Sequence, residues 1–191
     1  MENESDTVGL LDFDDNEYII KQSLIRNKFS VEDSAGNTVL KSRQKMFKMK
    51  EEFPFKDPDG NVVFRAKAEQ LMDFAGDYSL VDEESGETFA ILGKKFTFFK
   101  HVWKIKHPES GEELARIESS STLVEVLRTF SDVASLIPHS YTITSDGEKV
   151  GEIKGKFSLR DTYVLRLDQD LPVDRETVVA AAIAVDALEH N

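Results

Sequence analysis

The sequence predicts a mainly β (α+β) fold: a closed antiparallel β-barrel of about twelve strands, made of repeated hairpins and wrapped around a buried hydrophobic C-terminal helix. Three observations lead to this prediction. A hairpin pattern occurs five times, a run of eight apolar residues follows near the end of the chain, and 191 residues suffice for one substantial core. An extra helix is expected near 121–137.

Each copy of the hairpin pattern begins with an aromatic residue and has an apolar residue two positions later. A turn rich in acidic residues and serine then ends in glycine, and a further apolar residue stands three positions after the glycine. Alternation with period two places apolar side chains on one face of a strand, and glycine tolerates the positive φ of tight turns. The first residues are Phe29, Phe53, Tyr78, Trp103 and Tyr141, and the glycines are Gly36, Gly60, Gly86, Gly111 and Gly147.

The hairpins, with the flanking runs EYIIKQ and TYVLRL, account for the whole predicted barrel. Consecutive antiparallel strands with apolar inner faces are expected to close, because closure removes exposed sheet edges. Pro54 has no amide hydrogen, so its strand is expected to contain a bulge or an edge at that point. The predicted strands are 17–22, 28–33, 37–43, 47–56, 61–68, 77–82, 87–94, 98–106, 112–118, 140–145, 148–154 and 162–168.

The last interval between repeat glycines is longer than the others, which indicates an insertion at 119–139. Apolar residues there recur at helical spacing, Thr122 and Glu125 fit a capping box, and Pro138 ends the pattern. Two interpretations stay open. The helix covers one end of the barrel, or it is an exposed amphipathic helix for a partner or a membrane.

The C-terminal helix is expected at 174–189, with Asp174 as its N-cap. The apolar run from Val178 to Val185 is too short to span a bilayer and has no polar face for a surface position. A barrel of about twelve strands is too wide to be filled by its own side chains, so the helix is expected to fill it. Asp186 is expected to bond to a strand or a lysine at the barrel mouth, with ligand binding as the alternative.

Composition limits the classes of function. The net charge of −12 repels nucleic acid and anionic membranes at long range, so no nucleic-acid partner is expected. The chain has no cysteine, MENESDTVGL is not a secretory signal, and no transmembrane segment is predicted. We expect an acidic tail at 1–16, a single domain at 17–191 and a cytoplasmic location, with peripheral membrane association as an extension. The oligomeric state is not predicted.

Enzyme signatures are absent from the sequence. It contains no GxSxG, GxGxxG, P-loop or HExxH motif, and its histidines are scattered, so no catalytic residue, metal or cofactor is expected. Two acidic clusters do not match the spacing of an EF-hand and are interpreted as solvated loop acids. They are Asp12, Asp14, Asp15 and Glu17, and Asp82, Glu83, Glu84 and Glu87.

Two basic stretches are the candidate binding residues. Either they form the solubilising outer face of strands whose aromatic residues point inward, or they form a positive patch for anionic headgroups, to which each basic residue contributes about 1 kcal/mol. These residues are Lys41, Arg43, Lys45, Lys48 and Lys50, and Lys94, Lys95, Lys100, Lys104 and Lys106.

The segment KGKFSLRDTYVL at 154–165 and the apolar helix ending in AVDAL resemble the LURP-one-related family of the tubby C-terminal-like superfamily. The resemblance extends from about Glu17 to His190 and departs from compact members at 119–139. It implies a barrel around a central helix. Tubby proteins bind phosphoinositides at a basic surface, and the related phospholipid scramblases associate with membranes and calcium. We therefore expect a non-enzymatic binding or scaffold domain with an unidentified ligand or protein partner, or alternatively a membrane-surface protein that binds anionic phospholipid through outward-facing lysines.

Overall fold

A computed structural model describes residues 13–23, 28–43, 52–69, 77–96, 101–119, 140–156 and 162–189. These residues form twelve strands and one helix. The strands are β1 (Glu17–Ser23), β2 (Lys28–Glu32), β3 (Thr38–Arg43), β4 (Glu52–Lys56), β5 (Val62–Ala68), β6 (Tyr78–Asp82), β7 (Thr88–Phe96), β8 (His101–Lys106), β9 (Glu113–Ser119), β10 (Ser140–Ser145), β11 (Glu148–Lys156) and β12 (Thr162–Leu167), and the helix is α1 (Arg175–Glu189).

The strands close into one antiparallel barrel, as the hairpin repeat predicts. Each strand pairs with its neighbours in the chain, and β1 pairs with β12 to complete the circle. The predicted strand ends agree with the observed ones to within a few residues. Of the strands predicted at 47–56 and 98–106, the parts before Glu52 and His101 lie outside the described residues.

The five repeat hairpins turn at the same end of the barrel, here called the turn end. Two of them use the same arrangement of an aspartate and an asparagine. The Asp57 amide donates to the Asn61 carbonyl, and the Asn61 side chain donates back to the Asp57 carboxylate. Asp33 and Asn37 repeat these contacts. Gly60 has φ of 99°, a conformation that side chains disfavour.

A β-bulge near most of these turns sets which apolar residue points inward. In the first hairpin the register shifts between Val31 and Glu32, so Leu40 rather than Val39 lies opposite Val31. The residue four positions after each glycine is therefore buried, whereas the residue three positions after it is only partly buried in the first hairpin, at Val39, and buried in two others, at Val63 and Val150. The buried positions are Leu40, Phe64, Ala90, Ala115 and Gly151.

Pro54 lies in a weakly paired part of the wall. Between β3 and β4 the described ladder consists of Lys41 opposite Lys56, and the Ser42 hydroxyl donates to the Pro54 carbonyl. The bulge in this hairpin falls between Phe55 and Lys56, where the other hairpins also have theirs. The strand of Pro54 therefore contains the expected bulge, at the position set by the repeat.

The helix α1 fills the barrel. Each residue from Val178 to Val185 is 0% exposed and belongs to one core with the inward-facing residues of the wall. The Asp174 carboxylate caps the helix by accepting the Thr177 amide hydrogen at 2.7 Å, as predicted. In the wall, Phe55 stacks on Phe64 with ring centroids 4.4 Å apart. The apolar run is therefore core.

Two further predictions concern the chain outside the barrel and helix. Phe13 lies in the expected acidic tail, yet it is 0% exposed and packs edge-on against Tyr18. The tail therefore contributes to the core at its end, because a large aromatic side chain gains more by burial than by exposure. The predicted helix near 121–137 lies outside the described residues.

Candidate functional site

The candidate basic residues occupy two separate parts of the barrel wall. Lys41 and Arg43 lie on β3, whereas Lys94, Lys95, Lys104 and Lys106 lie on β7 and β8. Four strand intervals separate β3 from β7, which is about 19 Å along the wall at the usual spacing. The described residues therefore do not form one continuous patch. Lys45, Lys48, Lys50 and Lys100 lie outside the described residues.

Lys94 does not face outward as predicted. It lies directly opposite Trp103, and residues opposite one another in an antiparallel pair share a face. Trp103 is 1% exposed and belongs to the core. The Lys94 ammonium lies 5.0 Å from the centre of the Trp103 ring, a cation–π contact that accounts for the inward position of this charge.

Lys104 and Lys106 face outward but already carry carboxylate partners. Lys104 forms an ion pair with Glu113, which also accepts hydrogen bonds from Arg116. The Lys106 ammonium lies 2.9 Å from the Asp77 carboxylate. This pair passes over Gly93, where a Cβ would come within 2.7 Å of the ammonium nitrogen. These two charges are therefore largely balanced within the wall.

Lys41 and Lys95 are the exposed members of the described set. The Lys41 ammonium donates to the Pro58 carbonyl, in the turn between Asp57 and Asp59. Lys95 lies opposite Val102 on the outer face of the wall. Among the candidates whose side chains the structure describes, these two best fit a surface that attracts anions.

The acidic clusters stabilise turns. The Asp15 carboxylate accepts hydrogen bonds from the amides of Asn16 and Ser34, and a hydrogen bond from the Ser34 side chain is the largest cause of its lowered pKa. The Asp82 carboxylate accepts the Ser85 amide and hydroxyl, and Glu83 pairs with Arg65. Asp12 lies outside the described residues. No group of three or more metal-ligating side chains is present in the parts of the chain that the structure describes.

The turn end of the barrel is strongly acidic. All five repeat turns contribute acids there, and so do the residues before β1 and after β12. The negative potential at this end repels anionic ligands and surfaces. The acids are Asp14, Asp15, Asp33, Asp57, Asp59, Asp82, Glu83, Glu84, Glu87, Glu109, Glu112, Asp146, Glu148, Asp168, Asp170, Asp174 and Glu176.

Glu176 is an acid with a raised pKa at this end. Its partial burial, together with a hydrogen bond to Asp174, raises the pKa of its carboxyl group from 4.5 to about 7. The negative charge of Asp14 acts in the same direction. Glu176 therefore titrates near neutral pH at the entrance of α1.

Sequence reasoning missed two polar residues that hold α1. Arg175 donates to the carbonyl groups of Asp168 and Gln169, and Gln22 donates to the Asp186 carboxylate at 2.7 Å. The bond from Gln22 is the strand contact expected for Asp186. Gln22 stands at every second position of the strand with Tyr18 and Ile20, so the alternation of strand side chains could have predicted that it faces inward.

Comparison with known proteins identifies the family. The sequence profile described as LURP-one-related matches residues 38–186, which is most of the barrel and the greater part of α1. The chain belongs to the LURP-one-related family. No curated protein matches it in sequence.

The LURP-one-related assignment agrees with a solved fold. An X-ray structure of a protein from Arabidopsis thaliana covers 91% of this chain and 91% of its own, with a TM-score of 0.56 and 11% sequence identity. At this identity the likeness concerns the fold. Among the helices within the described ranges, none is both long and apolar enough to cross a membrane.

Proposed function

We propose that this LURP-one-related domain is a non-enzymatic binding domain whose ligand or partner docks on the outer wall of the barrel. One observation carries the proposal: α1 occupies the interior, and every residue from Val178 to Val185 is 0% exposed. Wide barrels that bind small molecules hold them in the interior. Here the protein's own helix takes that place. The outer wall is therefore the surface available to a partner, in the cytoplasm.

A hydrophobic dye tests the claim that the interior is filled. The native protein is expected to leave the fluorescence of anilinonaphthalene sulfonate unchanged, whereas the same protein near its urea midpoint enhances it. The sole tryptophan, Trp103, lies at the inner face of the wall and reports any dye inside by energy transfer. Micromolar uptake with energy transfer in the native state would contradict the proposal.

Anionic phospholipid is the narrower candidate for the ligand. Lys41 and Lys95 are exposed, and Lys95 is the better placed of the two, because the Lys41 ammonium bonds to Pro58 at the acidic turn end, which an anionic surface would repel. The domain would then lie at the periphery of a membrane. Against this, Lys104 and Lys106 are paired with carboxylates, so the wall offers an anionic headgroup fewer unpaired positive charges than the sequence predicted.

Vesicle sedimentation distinguishes anionic phospholipid from a protein as the ligand of this domain. With vesicles of phosphatidylcholine containing phosphatidylserine at low salt, Lys41→Glu combined with Lys95→Glu should abolish binding. The matched control is Lys149→Glu combined with Lys154→Glu, because both lysines are exposed on β11 and outside the candidate set. Absence of binding by the native protein rules out the lipid and leaves a protein partner. Equal losses in both double variants would show non-specific attraction.

A further inference from the structure

Arg175, the first residue of α1, spans the junction of the first and last strands. One nitrogen of its guanidinium donates to the Asn16 side chain at 2.8 Å and to the Asp15 carbonyl at 3.3 Å, just before β1. The second terminal nitrogen of the guanidinium donates to the carbonyls of Asp168 and Gln169 at 2.8 and 2.6 Å, just after β12. A single side chain thus holds both strands where they meet at the turn end.

A second polar contact ties the other end of α1 to the same strand. Asp186 and Gln22 are each 2% exposed, and their side chains lie 2.7 Å apart in the barrel interior. Asp186 follows Arg175 by eleven residues, about 16 Å along a helix. Between them the packing is apolar and non-directional. The two polar contacts therefore fix the depth and the rotation of α1 relative to β1.

The junction of β1 with β12, here called the seam, is where such ties are needed. It joins residues about 145 positions apart, so its loop closure costs more entropy than that of any hairpin. On its outer face Glu17 and Arg166 form an exposed ion pair, which contributes little stability.

We infer that α1 is a latch that holds the β1–β12 seam closed: Arg175 bonds to the chain on both sides of the seam, and the Gln22–Asp186 bond anchors the far end of α1 to β1. Insertion of the helix and closure of the barrel are then one event. This inference concerns the opening of the fold and goes beyond the proposed function, since it holds whatever the outer wall binds.

Hydrogen exchange measured by residue tests the latch. Arg175→Met is expected to speed exchange of the β1 and β12 amides by about tenfold or more, with β6 to β8 unchanged. Arg65→Met is the control, because it removes an exposed ion pair to Glu83 far from the seam and should leave β1 and β12 unaffected. Equal acceleration in all strands, or none at the seam, would overturn the inference. If Arg175→Met does not fold, Arg175→Lys should show a smaller effect of the same pattern, and a uniform effect would again overturn it.

A disulfide across the seam provides a rescue experiment in a chain that has no cysteine. Lys21 and Thr162 lie opposite each other in the seam. The Leu167 amide donates to the Asn16 carbonyl, so these two residues form a hydrogen-bonded pair of the ladder. Pair types alternate along an antiparallel ladder, and counting from there makes Lys21 and Thr162 a non-hydrogen-bonded pair, whose side chains lie close enough for a disulfide. Lys21→Cys with Thr162→Cys, when oxidised, should restore slow exchange to Arg175→Met, and the reduced form should not. Fast seam exchange in the oxidised protein would show that Arg175 does not act by closing the seam.

Discussion

Truncation of Ile183 tests how α1 contributes to stability. Ile183 is 0% exposed at the middle of the apolar run, so Ile183→Ala removes buried methyl and methylene groups and leaves a cavity. The lost transfer free energy is about 2 kcal/mol, and the cavity raises the expected loss of unfolding free energy to about 3 kcal/mol. Ile183→Asp should prevent folding, because a buried unpaired carboxylate costs several kcal/mol against a total stability of about 5–15 kcal/mol.

Urea unfolding followed by Trp103 fluorescence measures this loss. The matched control is Ile19→Ala, since Ile19 lies opposite Val164 on the outer face of the seam and is only partly buried. Its cost should stay below about 1 kcal/mol. Equal costs for the two alanine variants, or a soluble Ile183→Asp variant with a cooperative melt, would refute the reasoning that α1 is the core.

Two further predictions follow from the turn end and the strand glycines. Because the pKa of Glu176 rises from 4.5 to about 7 on folding, its stabilising contribution is present below pH 4.5 and is lost as the pH rises through 7. Glu176→Gln should therefore be more stable to urea unfolding than the native protein at pH 8, by about 1 kcal/mol after solvent screening, and equally stable at pH 4; equal stabilities at both pH values would contradict this. A Cβ at Gly151 would lie 2.6 Å from the Arg166 carbonyl oxygen, whereas at Gly93 it would meet the flexible end of Lys106. Thermal melts should show a loss of about 2 kcal/mol for Gly151→Ala and less than 1 kcal/mol for Gly93→Ala, and the opposite order would exclude this explanation.

The barrel was predictable because its information is local. The aromatic residues and glycines of the repeat define each strand and turn within a few residues, and an all-apolar helix has to be enclosed. What the sequence pattern does not reveal is the exact register in which paired strands meet. The bulges that make Leu40 rather than Val39 the inward residue arise from the register of two strands, which the spacing after Gly36 does not reveal.

The candidate site was less predictable, for two physical reasons. Charge alone suggested that Lys94 faces outward, although alternation from Leu92 places it on the inner face, where the Trp103 ring stabilises it. The role of Arg175 depends on backbone carbonyl groups, which every residue carries, so no side-chain motif marks its partners. Only closure of the barrel brings the segment before β1 and the segment after β12 together at its guanidinium group.

Native-state hydrogen exchange of α1 tests most directly whether the helix is the core of a closed barrel. In the native protein the amides from Val179 to Val185 should exchange only through global unfolding, with the same free energy as the slowest amides of β7 and β8. Exchange of these helix amides at a clearly lower free energy, while β7 and β8 stay protected, would show that the helix leaves a barrel that persists without it, and would contradict the account.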